Sequence, residues 1–339
     1  MKRSFGLLAA SALVTSLGAC SGGGATSTTT AGDGPATTTP AAAVEPEPLE
    51  PALDVAAAFY PLEFAVQRIG GDRVSVTPLT QPGADPHDAE LTPREVGQLS
   101  SVDLVVYLAE FQPAVDDAVG SVAGERALEV SEYADLTLTA IDDGHGHGDD
   151  EGDAHSDEEG DAHNDEATDP HFWLDPIRYA SVAEAITDRL VELDPEGAQD
   201  YEARAAEFTA ELAALDEEFS TALGTCTHRD LVTGHTAFGY LADRYDLHQE
   251  GISGLSTESE PSAAAMRDLV EHVRESGVTT IYSETLVDPA LTETIARESG
   301  AQVAVLDTLE GITDASAGSD YFEIMRVNLQ TLRQGQDCS

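Results

Sequence analysis

Apolar residues in this chain recur in two rhythms from about residue 53 onward: short compact runs, and longer stretches spaced three to four apart. The compact runs at 55–59, 74–79 and 103–108 predict strands, and the stretches 61–70 and 93–99, each opened by a proline, predict helices. A long helical stretch follows Pro176, with Val182, Ile186, Leu190 and Leu193 on one face, and stops near Asp194-Pro195. A second, 198–223, places Tyr201, Phe208, Leu212, Leu215 and Phe219 at helical spacing. Strand–helix alternation then restarts, with strands at 230–233, 279–282 and 302–306 and helices at 237–245, 262–276, 291–299 and 321–332. Strands alternating with helices imply crossover units and a mostly parallel sheet. Two such blocks around one long helical segment predict an α/β protein of two lobes, 53–197 and 224–339, bridged by the helix 198–223. One doubly wound domain is the simpler alternative, but it suits a shorter chain.

Before residue 53 the pattern differs. Lys2 and Arg3 precede an apolar run from Phe5 to Leu17 and then Leu17-Gly18-Ala19-Cys20. A basic head, a short apolar core and small residues before a cleavage point describe a secretory signal over 1–19. The run is too short to span a bilayer, which takes about 20 apolar residues. A cysteine directly after Leu-Gly-Ala resembles the bacterial lipobox, which makes Cys20 a lipid anchor on the outer face of the cell membrane. An ordinary secreted protein with a chance cysteine is the alternative. Residues 20–52 are mostly Ala, Thr, Pro, Gly and Glu, with no aromatic and almost no large aliphatic side chain, too poor in apolar surface to fold and suited to a flexible tether.

A second break falls at 142–169, which holds four histidines and thirteen acids, repeats Gly-Asp-Ala-His after eight residues, and carries no large apolar side chain. It reads as a disordered surface loop. It contributes to an extreme charge balance, 64 acids against 16 bases, with Lys2 the sole lysine. Such a polyanion excludes nucleic acid as a partner and favours cations, although acidity spread over the helices is equally a solubility or salt-adaptation trait. Beyond Cys20, Cys226 and Cys338 remain; an even pair in an oxidising compartment suggests one disulfide. Closing about 110 residues would contribute roughly 4–5 kcal/mol in the loop-entropy treatment. Two free thiols, or zinc ligation, are the competing readings.

Six of the ten histidines lie outside the loop, and three of these occupy comparable places. His87 follows the 74–79 strand in Gly83-Ala84-Asp85-Pro86-His87-Asp88. His171 lies in Asp169-Pro170-His171-Phe172-Trp173-Leu174-Asp175-Pro176, and His235 sits between a strand and a helix in Thr233-Gly234-His235-Thr236. In open α/β sheets ligands bind at the carboxyl ends of strands. Three imidazoles converging there, with one carboxylate oxygen, would complete a tetrahedral Zn²⁺ set. A single histidine beside a strand end more often caps or hydrogen-bonds, so the argument rests on recurrence. His228, His248 and His272 lack such settings.

These motifs, together with Phe59-Tyr60-Pro61-Leu62, Gly254-Leu255-Ser256, Glu260-Pro261-Ser262, Ile281-Tyr282-Ser283-Glu284 and Ile295-Ala296-Arg297-Glu298-Ser299-Gly300, carry a resemblance. In this order, over about residues 53–333, they resemble the zinc- and manganese-binding solute-binding lipoproteins of bacterial ABC importers. The resemblance implies two lobes joined by a rigid helix, a metal in the cleft, and delivery to a permease of the cytoplasmic membrane by a monomer. It implies His87 and His171 as ligands from the first lobe and His235 from the second, and it places the fourth on the strand end at Asp307, where water or another carboxylate is the alternative. Manganese-selective members tend to carry a glutamate at the His235 position. Three imidazoles and one carboxylate suit Zn²⁺, whereas Mn²⁺ prefers oxygen-rich shells. Zinc-type members often carry a His/Asp-rich loop, so His145, His147, His155 and His163 are candidate auxiliary ligands, with an incidental acidic loop as the alternative. A manganese binder or a surface adhesin on the same fold is the second reading. A zinc hydrolase is disfavoured: there is no His-Glu-x-x-His helix, no nucleophile motif and no phosphate loop. Glu258 and Glu284, which could act as general bases, lie in stretches that match the binding family.

Overall fold

The computed structural model describes residues 50–139, 168–255 and 261–339. The signal segment, Cys20, the tether up to residue 49, the four loop histidines and Glu258 lie outside the described residues. The first lobe runs β1 (Leu53–Ala57), α1 (Tyr60–Gly70), β2 (Val74–Pro78), α2 (Pro93–Leu99), β3 (Leu104–Tyr107), α3 (Pro113–Ala118), β4 (Ala127–Glu129) and α4 (Ser131–Ala134). Then come α5 (Pro176–Leu193) and the 26-residue α6 (Ala198–Leu223). The second lobe runs β5 (Asp230–Thr233), α7 (Gly239–Arg244), β6 (His248–Gly251), α8 (Ala263–Ser276), β7 (Thr280–Ser283), α9 (Ala290–Ser299), β8 (Gln302–Val305) and α10 (Tyr321–Gly335). Each lobe holds a four-stranded sheet, ordered β2-β1-β3-β4 and β6-β5-β7-β8, with every pairing parallel. No helix among the described residues is long and apolar enough to cross a membrane.

Local chemistry explains where the elements begin. Thr92 and Glu95 form a capping box on α2, and the Asp175 carboxylate accepts from the Ile177 and Arg178 amides at the start of α5. Asp320 caps α10 through the Glu323 amide. The apolar stripe predicted on 198–223 is real: Tyr201, Phe208, Leu212, Leu215 and Phe219 are all fully buried.

The larger core is continuous across both lobes, α5, α6 and α10, and joins Phe59, Trp173, Tyr179, Phe208, Phe238 and Tyr321. A smaller core of Val232, Ile252, Val270, Val273, Ile281 and Ile295 belongs to the second lobe alone. At roughly 1.5–3 kcal/mol for each large side chain removed from water, the shared core resists separation of the lobes. Cys226 and Cys338 form a disulfide, which ties the chain just after α6 to the C-terminal residues.

Four short elements escape the sequence pattern: α3, β4, α4 and β6. β4 and β6 are edge strands. β6 reads His-Gln-Glu-Gly and buries no residue fully, so it lacks the apolar run that reveals the central strands.

Candidate metal centre

The site forms where the carboxyl ends of both sheets face one another. β2 leads into the loop with His87, and β5 into Gly234-His235. β8 leads into the turn Leu306–Leu309, and His171 precedes the 3₁₀ turn Phe172–Leu174 that enters α5. The expected trio converges: ring centroids lie 5.5 Å apart for His87 and His171, 5.4 Å for His171 and His235, and 6.2 Å for His87 and His235.

A carboxylate joins them, but it is Glu310. Its Oε1 lies 2.9 Å from His171 Nε2, 3.4 Å from His87 Nε2 and 3.5 Å from His235 Nε2. One donor atom from each of the four lies within 4.8 Å of every other. Asp307, expected in this position, does something else. Its Oδ1 accepts from the Leu309 amide at 2.9 Å, and its backbone is bracketed by Asn328, which accepts from its N–H and donates to its C=O. The strand ends at Val305, and the chain then turns through Leu309 in the left-handed region (φ 58°), so the residue that reaches the histidines is Glu310. A carboxylate three residues beyond Asp307 was visible in Leu309-Glu310-Gly311; the turn that aims it was not.

The rings are oriented from behind. His171 Nδ1 meets Asp169 Oδ1 at 2.8 Å, and the same oxygen accepts the His171 amide at 2.9 Å. His235 repeats this with Glu284: Oε1 accepts the amide at 2.9 Å, and Oε2 holds Nδ1. A carboxylate on Nδ1 fixes the tautomer that leaves the Nε2 lone pair free for a metal. Glu284 is therefore a supporting group, a role the sequence did not reveal. Two glycines make room. A Cβ at Gly234 would lie 3.0 Å from Glu284 Oε1, and one at Gly239 would collide with Asp169 Oδ2. Behind His87 stands the ring of Phe111, edge-on at 4.7 Å between centroids.

His171, His235 and Glu310 are buried, whereas the His87 side chain retains 15% of its exposure. Burial by itself would lower the His171 pKa, but Asp169 and Glu310 outweigh it and raise it. Burial likewise opposes the charged form of His235, and Glu284 with Glu310 raises it well above its ordinary value. Burial would raise Glu310, yet the hydrogen bond with His171 and the close His235 and His87 imidazoles hold it well below the usual carboxylate range. The His87 and His235 Nε2 atoms are buried without a hydrogen-bond partner, which is costly unless something else satisfies them. A tetrahedral ion with bonds of about 2.0–2.1 Å sets neighbouring donors about 3.3–3.4 Å apart, close to the distances of the Glu310 oxygen from the His87 and His235 Nε2 atoms.

Two parallel α/β lobes closing on three imidazoles and one carboxylate define a two-lobed metal-capture protein. Residues 55–335 match the family described as zinc-uptake complex component A, periplasmic (ZnuA), and the chain belongs to that family. It is 35% identical over 292 residues to the zinc-binding protein AdcA of Streptococcus pyogenes serotype M3, covering 85% of this chain and 57% of that one. It is 35% identical over 284 residues to the high-affinity zinc uptake system protein ZnuA of Bacillus subtilis, covering 83% and 86%. The chain thus spans little more than half the length of the AdcA relatives it matches. Its fold superposes on the Zn(II)-bound ZnuA-like domain of Streptococcus pneumoniae AdcA with a TM-score of 0.66 at 29% identity, covering 84% of this chain and 99% of that domain.

Proposed function

We propose that this protein binds Zn²⁺ outside the cytoplasm and delivers it to an ABC-type permease for uptake, with His87, His171, His235 and Glu310 as ligands. The observation that carries the reading is the buried set of four donors with two unsatisfied Nε2 atoms aimed at one carboxylate oxygen. Three nitrogens and one oxygen favour Zn²⁺ over Mn²⁺. With its coordination closed by four protein groups the ion has no open position for an activated water, so the role is capture and release without chemical turnover.

Cys20, as a lipidated anchor, and the segment 20–52, as a tether, would hold a monomeric globular part at the outer face of the membrane. The His- and Asp-rich stretch would raise the local zinc concentration beside the cleft. The shared core supports small local motions during release rather than a wide hinge swing. Competitive titration with Zn²⁺ and Mn²⁺ tests the reading. It should use the mature chain, a version lacking 142–169, and His235→Glu. The mature chain prefers zinc, and the deletion keeps the tight site. Equal preference for Mn²⁺ would sink the zinc assignment, and loss of the tight site on deletion would move it into the loop.

A further inference from the structure

Glu310 and His171 reach the same point from different lobes, and one fully buried side chain touches the supports of both. The Trp173 ring packs edge-on against His171, 5.2 Å between centroids, and is wedged against Phe59 at 5.0 Å. Its Nε1–H crosses to the second lobe and donates to the Thr308 carbonyl at 2.8 Å. Its own carbonyl accepts from the Tyr321 hydroxyl, in the first turn of α10, at 2.7 Å. Thr308 is central to the turn that aims Glu310. Asn328 holds that turn on one side through Asp307, Leu309 lies in a left-handed conformation that side chains rarely adopt, and Trp173 holds the remaining side. Such a turn persists only when its surroundings over-determine it.

We infer that Trp173 is a positioning residue for the metal: through Thr308 it fixes Glu310 so that a single carboxylate oxygen faces the three imidazoles. This rests on the zinc reading above and deepens it. All three Nε2 atoms face the same Oε1, the one-oxygen approach of a four-coordinate ion. A carboxylate free to rock could present both oxygens, the denser shell that Mn²⁺ prefers. Trp173 therefore acts on selectivity as well as affinity.

The test is a double-mutant cycle in the intact chain between Trp173→Phe and Glu310→Gln, read by competitive Zn²⁺ and Mn²⁺ titration and by the visible spectrum of bound Co²⁺. Trp173→Phe should weaken zinc about tenfold, the lower end of what outer groups of metal sites contribute. It should weaken Mn²⁺ less and reduce the intensity of the tetrahedral Co²⁺ bands. In the Glu310→Gln background the same substitution should change zinc affinity by less than about twofold. An equal loss in both backgrounds would mean that Trp173 supports His171 or the fold alone, and would overturn the inference while leaving the zinc reading intact. Absence of tight zinc binding by the unmodified chain would sink both. If Trp173→Phe does not fold, Tyr321→Phe takes its place, since it releases the Trp173 carbonyl and keeps the ring. A smaller zinc loss that disappears with Glu310→Gln supports the inference, and an unchanged affinity or a loss that persists overturns it.

Discussion

The two lobes are built alike and contribute unequally to the cleft. Each presents the carboxyl ends of a parallel sheet with the same strand order, and each brings two candidate ligands. The second lobe holds both of its groups rigidly: His235 is gripped at backbone and ring by Glu284, and Glu310 sits on a bracketed turn. The first lobe holds His171 at amide and ring through Asp169; the His87 amide donates to Asp85 at 2.9 Å, its ring packs on Phe111, and the side chain stays partly exposed. Three candidate donors thus have hydrogen-bonded supports, whereas the His87 ring keeps some exposure although its Nε2 is buried, so His87 is the position at which we expect an ion to enter and leave.

Removing ligands tests that asymmetry with the largest effects. His235→Ala should weaken zinc by more than about 100-fold, above the 10–100-fold that outer-shell partners cost. It leaves Glu284 buried without its imidazole as well as losing a donor. His87→Ala should cost less, because water can fill a partly exposed position, and should speed zinc dissociation in stopped-flow chelator experiments. An equal loss in both variants would show that the two halves are equally preset.

The supporting carboxylates come next. Glu284→Gln and Asp169→Asn should each lower zinc affinity about 10–100-fold, with Glu284 the costlier. Calorimetry under matched buffer conditions would read both. If neither variant loses affinity, the carboxylates only satisfy backbone amides.

Acidity separates the empty protein from the loaded one. His171 and His235 are raised above their ordinary 6.5, so the stability they give the metal-free fold is fully present below about 6.5 and is lost as pH rises through their folded values. Metal binding needs the same groups deprotonated, so zinc affinity should fall as pH drops and begin to fall above 6.5. Glu310 is held low, competes little with the ion, and loses its own contribution only as pH falls through its depressed value. The melting temperature of the metal-free protein should therefore decline as pH rises above 6.5 while the gap to the zinc-loaded protein widens. A constant gap would place the protons elsewhere.

Most of this arrangement could be read before any coordinates, and the exceptions share a cause. The central strands, the α6 boundaries at 198 and 223 and the histidine trio carry local signals: apolar runs, helical spacing, and glycine or proline beside a strand end. Glu310 rather than Asp307 faces the histidines because the turn between them is held by Trp173, 135 positions from Thr308, and by Asn328, 21 positions from Asp307. Asp169 and Glu284 stood inside recognised motifs, but the pairing of Glu284 with His235 joins positions 49 apart. β6 gave no sign because an edge strand needs no apolar face. Sequence pattern shows what a segment buries, and long-range hydrogen bonds decide where its side chains point.

The smallest expected effect probes how the two halves are joined away from the metal. Asp175 caps α5, accepting from Ile177 at 2.8 Å, and its carboxylate also faces Arg244 of the second lobe at 3.3 Å, an arginine that is itself paired with Asp216 of α6. Asp175→Ala removes cap and ion pair together and should cost about 1–2 kcal/mol of stability. Asp175→Asn keeps the cap, since asparagine serves there as well as aspartate, and removes only the charge, so the difference between the variants isolates the cap. What remains in Asp175→Asn is the loss of the charge that Asp175 shares with Arg244 of the second lobe at 3.3 Å and with Arg178 of α5 at 3.5 Å. Arg244 keeps its other partner, so that residue should be a few tenths of a kcal/mol, as for part-exposed pairs. Zinc affinity should change by less than about twofold in both variants, because neither alters the turn at Leu309 or the carboxylates behind His171 and His235. A tenfold loss in Asp175→Asn would mean that the electrostatic link between α5, α7 and α6 sets the ligand spacing, and the preset half of the cleft would then depend on the whole interface.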